Sequence, residues 1–220
     1  NTVVLKPSSL TPLTVLELAK IIHSSGIPDG VVNIIVGKGD TVGKALCESK
    51  DVDMISFTGS NEVGKKIFEY ASTNVKKLSM ELGGKSAGIV LDDADFEVAV
   101  NGSLCSIFLN QGQMCTAMSR ILVLDKVYDT FLADFIKKVK QIKLGPGVDF
   151  QSQMGPLISD SQRKRVHDFV IEAVKEGAHV ACGGNIPVEP QLSKGYFFEP
   201  TVLINVTPDM SVWKKEVFGP

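Results

Sequence analysis

The sequence predicts an α/β protein built on a parallel sheet, and three observations predict it. Short β-branched apolar runs alternate along the 220 residues with segments whose apolar residues recur at helical spacing. The links between them are short and punctuated by glycine or proline. Hydrophobic residues make up 44% of the chain, enough to cover both faces of such a sheet with helices.

Residues 2–5, Thr-Val-Val-Leu, read as a buried strand closed by Pro7. A helix is predicted over 11–24, with Val15, Leu16, Leu18, Ala19 and Ile22 at its apolar positions. Thr11 serves as its N-cap, Pro12 falls in its first turn and Gly26 stops it. Residues 31–36 form a second strand, followed by Gly37, Gly39 and a short helix over 41–48. A third strand and helix occupy 52–57 and 61–71. Val75, Leu78, Met80 and Leu82 then lead to Gly83-Gly84, the predicted junction between a domain at 1–82 and another at 83–220. Residues 87–91 are apolar, and Asp92, Asp93 and Asp95 crowd the entry of a helix running towards Asn110. Acidic residues there complement the helix dipole, which accounts for them without a metal. A strand at 121–124 precedes an amphipathic helix marked by Tyr128, Phe131, Phe135 and Val139 and ended by Gly145-Pro146. A helix over 160–176, with His167 on its surface, is closed by Gly177; strands follow at 179–181 and within 195–203. This half reads as a second α/β unit.

A net charge of −2 with dispersed lysines gives no basis for binding nucleic acid or an anionic membrane. Cysteines 47, 105, 115 and 182 and histidines 23, 167 and 179 have neither disulfide-framework nor metal-ligand spacing. No apolar run approaches a membrane span and no signal peptide precedes the first strand, so a reducing, cytoplasmic setting is expected. The chain opens without an initiator Met and stops just after Phe218-Gly219-Pro220, and so reads as an internal piece of a longer protein.

Two residues are candidates for chemistry. Cys115, in Gln111-Gly112-Gln113-Met114-Cys115-Thr116, has small and amide neighbours that suit an exposed, reactive thiol. Glu81, at the end of an apolar alternation and before a glycine pair, suits a half-buried general base. By residue type alone, a small core cysteine and a turn carboxylate are the commoner readings of these two residues. Ligands of parallel sheets bind beyond strand C-termini, where Lys6, residues 37–39 and residues 58–60 fall. Ser60 or Asn61 can cap the following helix, and Gly59 lets a ligand approach the backbone. Free amides at that helix start make an anion site fit for a pyrophosphate, although an ordinary capped helix uses the same residues. The stretch GKGDTVG misses the GxGxxG spacing by one position and is explained equally by a tight strand-to-helix turn.

The segments LKPSS, FTGSNEVG, MELGGKS, NQGQMC and KEVFGP, in this order and at these separations, resemble the signature stretches of the NAD(P)-dependent aldehyde dehydrogenase superfamily. The resemblance runs the length of the chain. It implies part of a Rossmann-like cofactor domain at 1–82 and part of an α/β catalytic domain at 83–220. It implies oxidation of an aldehyde to an acid by NAD or NADP, with Cys115 as nucleophile, through a thiohemiacetal and a thioester, and with Glu81 activating water. Lys6 takes the position of a ribose-contacting lysine. Ser9 stands where strictly NAD-dependent members commonly carry glutamate, which leaves NADP open. Gly39, Thr58, Gly59, Ser60, Val63 and Leu82 belong to the implied cofactor site. Glu216 takes the position of a carboxylate that holds the nicotinamide ribose, and Phe218 packs near it. Met114 faces the aldehyde pocket as a flexible apolar wall. The family's second oxyanion donor is an asparagine side chain that lies before Asn1. Members that pass the acyl group to coenzyme A usually lack the glutamate at 81, so release of a free acid is favoured over that alternative. A non-catalytic cofactor-binding or assembly piece is the reading from another class. The parent is expected to be a homodimer or homotetramer, with no metal.

Overall fold

Branching at Cβ favours extended backbone in Val3–Leu5 (β1), which pairs in parallel with Val32–Ile34 (β2) in the register Val3 to Val32. The structure, a computed structural model, describes residues 1–220. It separates into two compact units, Asn1–Gly83 and Gly84–Pro220.

In the first unit, Leu13–Ser24 (α1) connects β1 to β2. Thr11 does not cap it. Pro12 takes the cap position with helical φ and ψ, and no side chain accepts from the first turn. The Thr11 N–H instead closes a turn on the Ser8 carbonyl at 3.3 Å. A wide helical turn over Gly39–Gly43 runs into Lys44–Glu48 (α2), so the predicted short helix begins earlier and in a looser form. Met54–Gly59 (β3) and Lys77–Leu82 (β4) form a second parallel pair, with Thr58 opposite Glu81 and Gly59 opposite Leu82. Asn61–Ala71 (α3) joins them, matching the predicted limits. It lies close to β4: a Cβ on Gly64 would stand 2.8 Å from Leu82 Cδ2. Cys47, Ile67 and Ala71 are the buried hydrophobic residues here.

The second unit is better packed. Ala87–Val90 (β5) pairs in parallel with Arg120–Val123 (β6). Between them runs Phe96–Phe108 (α4), capped by Asp95, whose Oδ1 accepts from the Val98 N–H at 3.0 Å. Asp125–Val139 (α5) follows, and its aromatic stripe is core, as predicted. Phe131 stacks on Phe135 at 5.6 Å between centroids, and Phe135 on Phe108 at 6.3 Å. Burial of each such ring contributes about 1.5–3 kcal/mol.

Asp160–Glu176 (α6) has its predicted ends, fixed by the Ser159 hydroxyl accepting from Gln162 N–H and by Gly177 at φ 110°. His167 is a correction: it is half-buried, edge-on to Phe198 with centroids 6.0 Å apart. His179–Cys182 (β7) pairs antiparallel with Val202–Ile204 (β8), within the half read from the sequence as a second α/β unit. The link between these strands carries only the short turn Pro190–Leu192, with no crossover helix to reverse the chain direction. Residues 195–201 are irregular because their backbone bonds elsewhere: the Tyr196 carbonyl accepts from Leu157, and Glu199 N–H donates to Asn185. Ser211–Lys214 (α7) was not foreseen. The architecture is thus α/β, with three parallel strand pairs and one antiparallel pair. No helix is long and apolar enough to cross a membrane.

Candidate active site

In the first unit, the loops at the strand ends are tied to one another by Lys6. Its Nζ donates to the carbonyls of Pro7 at 2.7 Å and Gly37 at 3.2 Å, which joins the end of β1 to the loop after β2. Ser9 is exposed nearby in sequence, and Gly39 is exposed at the start of the wide turn. Thr58 and Gly59 end β3. The Ser60 hydroxyl then accepts from the Val63 N–H at 3.3 Å, and its carbonyl accepts from Gly64 at 2.9 Å. Helix geometry leaves the N–H groups of Asn61 and Glu62 without intrahelical acceptors, so the α3 terminus retains donors for an anion. Leu82 is half-buried on Gly64. Glu81 corrects its expectation. It occupies an outward-facing position of β4 and is exposed rather than half-buried.

In the second unit, Cys115 is exposed, as its small and amide neighbours predicted. The loop before it is held in an uncommon shape: Asn110, Gln111 and Gly112 have φ of 52°, 58° and 67° in succession. What fixes this turn is contact with the end of the chain, since a Cβ on Gly112 would fall 2.2 Å from the Gly219 carbonyl oxygen. No other residue fits there. The Gln113 side-chain oxygen anchors the loop from the other side by accepting from Ile158 N–H at 3.1 Å. Beyond it, Ala117 N–H closes a turn on the Met114 carbonyl at 3.1 Å. Met114 is half-buried, and the Cys115 N–H meets no acceptor in the chain. Gly84 packs beside the Cys115 carbonyl, at 3.5 Å from its Cβ position.

The segment 216–219 is held against α6. Gln162 donates to the carbonyls of Val217 at 3.2 Å and Phe218 at 2.8 Å, and Arg165 donates to the Glu216 carbonyl at 3.1 Å. Phe218 adopts φ 61° with its ring partly exposed. Glu216 is half-buried, and its Oε1 is buried without a hydrogen-bond partner. Through Gly112 and Gly219, the loop before Cys115 and the Glu216–Phe218 segment therefore belong to one packed arrangement. Three residues beside it went unnoticed in the sequence: Lys85, Arg120 and Trp213. Burial and the neighbouring Arg120 charge push the Lys85 amine down to about 8, against the opposing pull of Glu216.

Residues 1–220 match the model of the aldehyde dehydrogenase family. The chain belongs to that family. It is 49% identical over its whole length to a betaine aldehyde dehydrogenase of Bacillus subtilis, of which it spans 45%. It is 46% identical to a mitochondrial aldehyde dehydrogenase of Leishmania tarentolae, spanning 44% of that protein. The crystal structure of a betaine aldehyde dehydrogenase from Staphylococcus aureus in complex with NAD+ superposes on all of this aldehyde dehydrogenase chain with a TM-score of 0.98 at 43% identity, over 44% of its own length. The chain thus spans less than half the length of these relatives.

Proposed function

We propose that the full protein oxidises an aldehyde to a carboxylic acid with NAD or NADP. The observation that carries this reading is the exposed Cys115 thiol beside a locked left-handed turn, with its own N–H free. The thiolate attacks the aldehyde carbon, a C–S bond forms, and the carbonyl electron pair moves to oxygen. The Cys115 N–H is the donor this chain offers to that oxyanion. Bound NAD or NADP supplies the hydride acceptor that turns the adduct into a thioester. The Glu81 carboxylate then takes a proton from water as the water oxygen attacks the thioester, and the acid and the Cys115 thiolate are released.

The residues present fit the cofactor. The half-buried Glu216 carboxylate is assigned to the hydroxyls of the nicotinamide ribose, and the amides of Asn61 and Glu62 at the start of α3 suit the pyrophosphate. Lys6, tied to Gly37, and Gly39, Thr58, Gly59, Ser60, Val63 and Leu82 belong to the same assignment, with Phe218 against the nicotinamide. We assign residues 1–82 to the cofactor domain and 83–220 to the catalytic domain, and the parent to a homodimer or homotetramer. The deciding experiment supplies the full-length enzyme with NAD and an aliphatic aldehyde. Reduced cofactor and free acid are expected in equal amounts without coenzyme A. A strict requirement for coenzyme A transfers the protein to the acylating class, and no turnover with either cofactor sinks the reading.

Ser9 is the residue assigned to cofactor choice. A carboxylate there would accept from ribose hydroxyls and repel a 2′-phosphate, whereas a serine, three residues after Lys6 in the sequence, tolerates one. Ser9→Glu is expected to raise KM for NADP by roughly tenfold or more, the cost of one lost charge-assisted contact, and to change that for NAD far less. Equal effects on the two cofactors would remove Ser9 from the assignment.

A further inference from the structure

Met114, Cys115 and Thr116 span the gap between two points at which the chain is fixed. On the far side Ala117 is buried, and the Met118 N–H donates to the Ser106 carbonyl on α4 at 3.3 Å. On the near side stands Gln113, half-buried, whose backbone closes the left-handed turn. Its N–H donates to the Asn110 carbonyl at 3.0 Å, and its carbonyl accepts from the Asn110 side chain at 3.3 Å. Both bonds are internal to the turn, so they set its shape without fixing its place. Asn110 and Gln111 are non-glycine residues at positive φ, a conformation that persists only where the surroundings over-determine it. Gly112 against the Gly219 carbonyl is one constraint, but it only limits approach. The attractive tie is Gln113 Oε1, which accepts at 3.1 Å from the N–H of Ile158, 45 residues along the chain. That donor belongs to rigid backbone. The Leu157 side chain is buried, its N–H donates to the Tyr196 carbonyl at 3.0 Å, and Ser159 caps α6. Attack on an aldehyde asks two things of Cys115 at once: Sγ in line with the carbonyl carbon, and the Cys115 N–H aimed at the developing oxyanion. Both depend on where the backbone sits, whereas exposure of the thiol does not.

We propose that Gln113 is a positioning residue for Cys115: its side-chain oxygen, held by the Ile158 N–H at the start of α6, places the loop so that the thiol and the Cys115 N–H address the aldehyde together. This rests on the assignment of Cys115 as nucleophile. The test is Gln113→Met in the full-length enzyme, which keeps the length of the side chain and removes the acceptor; Gln113→Leu takes its place where the first does not fold. Deuterium exchange in the peptide that contains the Ile158 amide should accelerate, because that N–H loses its partner. The single-turnover rate of NAD reduction, with enzyme in excess over aldehyde, should fall about tenfold or more, since reacting groups displaced by a fraction of an ångström lose their alignment. Alkylation of Cys115 by iodoacetamide, which needs no oxyanion donor, and the NAD dissociation constant should stay at the parent values. A general loosening of the fold would move all four together. Unchanged exchange at Ile158 overturns the proposal, and so does a full single-turnover rate or a loss shared equally by reduction and alkylation. Cys115→Ala is measured in parallel: reduction at the parent rate there removes the nucleophile assignment itself, and this proposal with it.

Discussion

Replacing Cys115 by alanine is expected to lower kcat/KM for aldehyde oxidation by roughly 10⁴-fold or more, because no covalent adduct can form without the sulfur. Serine at the same place should recover little. Its hydroxyl is scarcely ionised at neutral pH, whereas a thiol reaches its nucleophilic anion readily. NAD affinity should not move in either variant, since the role proposed for the side chain is attack on the aldehyde carbon. The natural control is Cys105, the other exposed cysteine, which lies on α4. Cys105→Ala should leave turnover at the parent level, and one equivalent of iodoacetamide should inactivate Cys105→Ala but find no essential thiol in Cys115→Ala. Retention of more than about one per cent of parent activity in the alanine variant, against the expected loss, would remove Cys115 from the chemistry.

The exposure of Cys115 was legible because it follows from local composition, and exposure is what the structure finds. The shape of the loop before it was not. Asn110 and Gln111 adopt positive φ without any glycine signal of their own. The cause is the contact of Gly112 with the Gly219 carbonyl, more than a hundred residues later in the chain. The limits of the 61–71 helix were readable from its Ser60 cap, and the end of the 160–176 helix from Gly177, signals that act within one turn. The missed α1 cap shows the boundary of that logic: Thr11 has the right side chain, but Pro12 is already helical and takes the cap position. Pairing direction is also non-local, which is why the antiparallel β7 and β8 went unread. The cluster of Lys85, Arg120, Trp213 and Glu216 assembles residues from three separate stretches, and no spacing rule connects them.

Glu81→Gln is expected to separate the two halves of the reaction. Thiolate attack and reduction of the cofactor do not require a base at 81, so rapid mixing should still show a burst of close to one reduced cofactor per active site. Hydrolysis does require one: water is a poor nucleophile towards a thioester until a proton is withdrawn as it attacks. Steady-state kcat should therefore fall by about 10²–10⁴-fold, the usual contribution of a general base, while the burst amplitude is kept. The acyl group should accumulate on Cys115 and be visible as a mass increase of the peptide that contains it. The exposed position of Glu81 on β4 sharpens the expectation. An amide of the same size at an exposed site leaves the packing of Leu82 on Gly64 untouched, so the variant should melt at the parent temperature and any kinetic change reports chemistry. Loss of the burst together with the steady state would place Glu81 in the first half-reaction instead. A full steady-state rate would show that another group withdraws the proton.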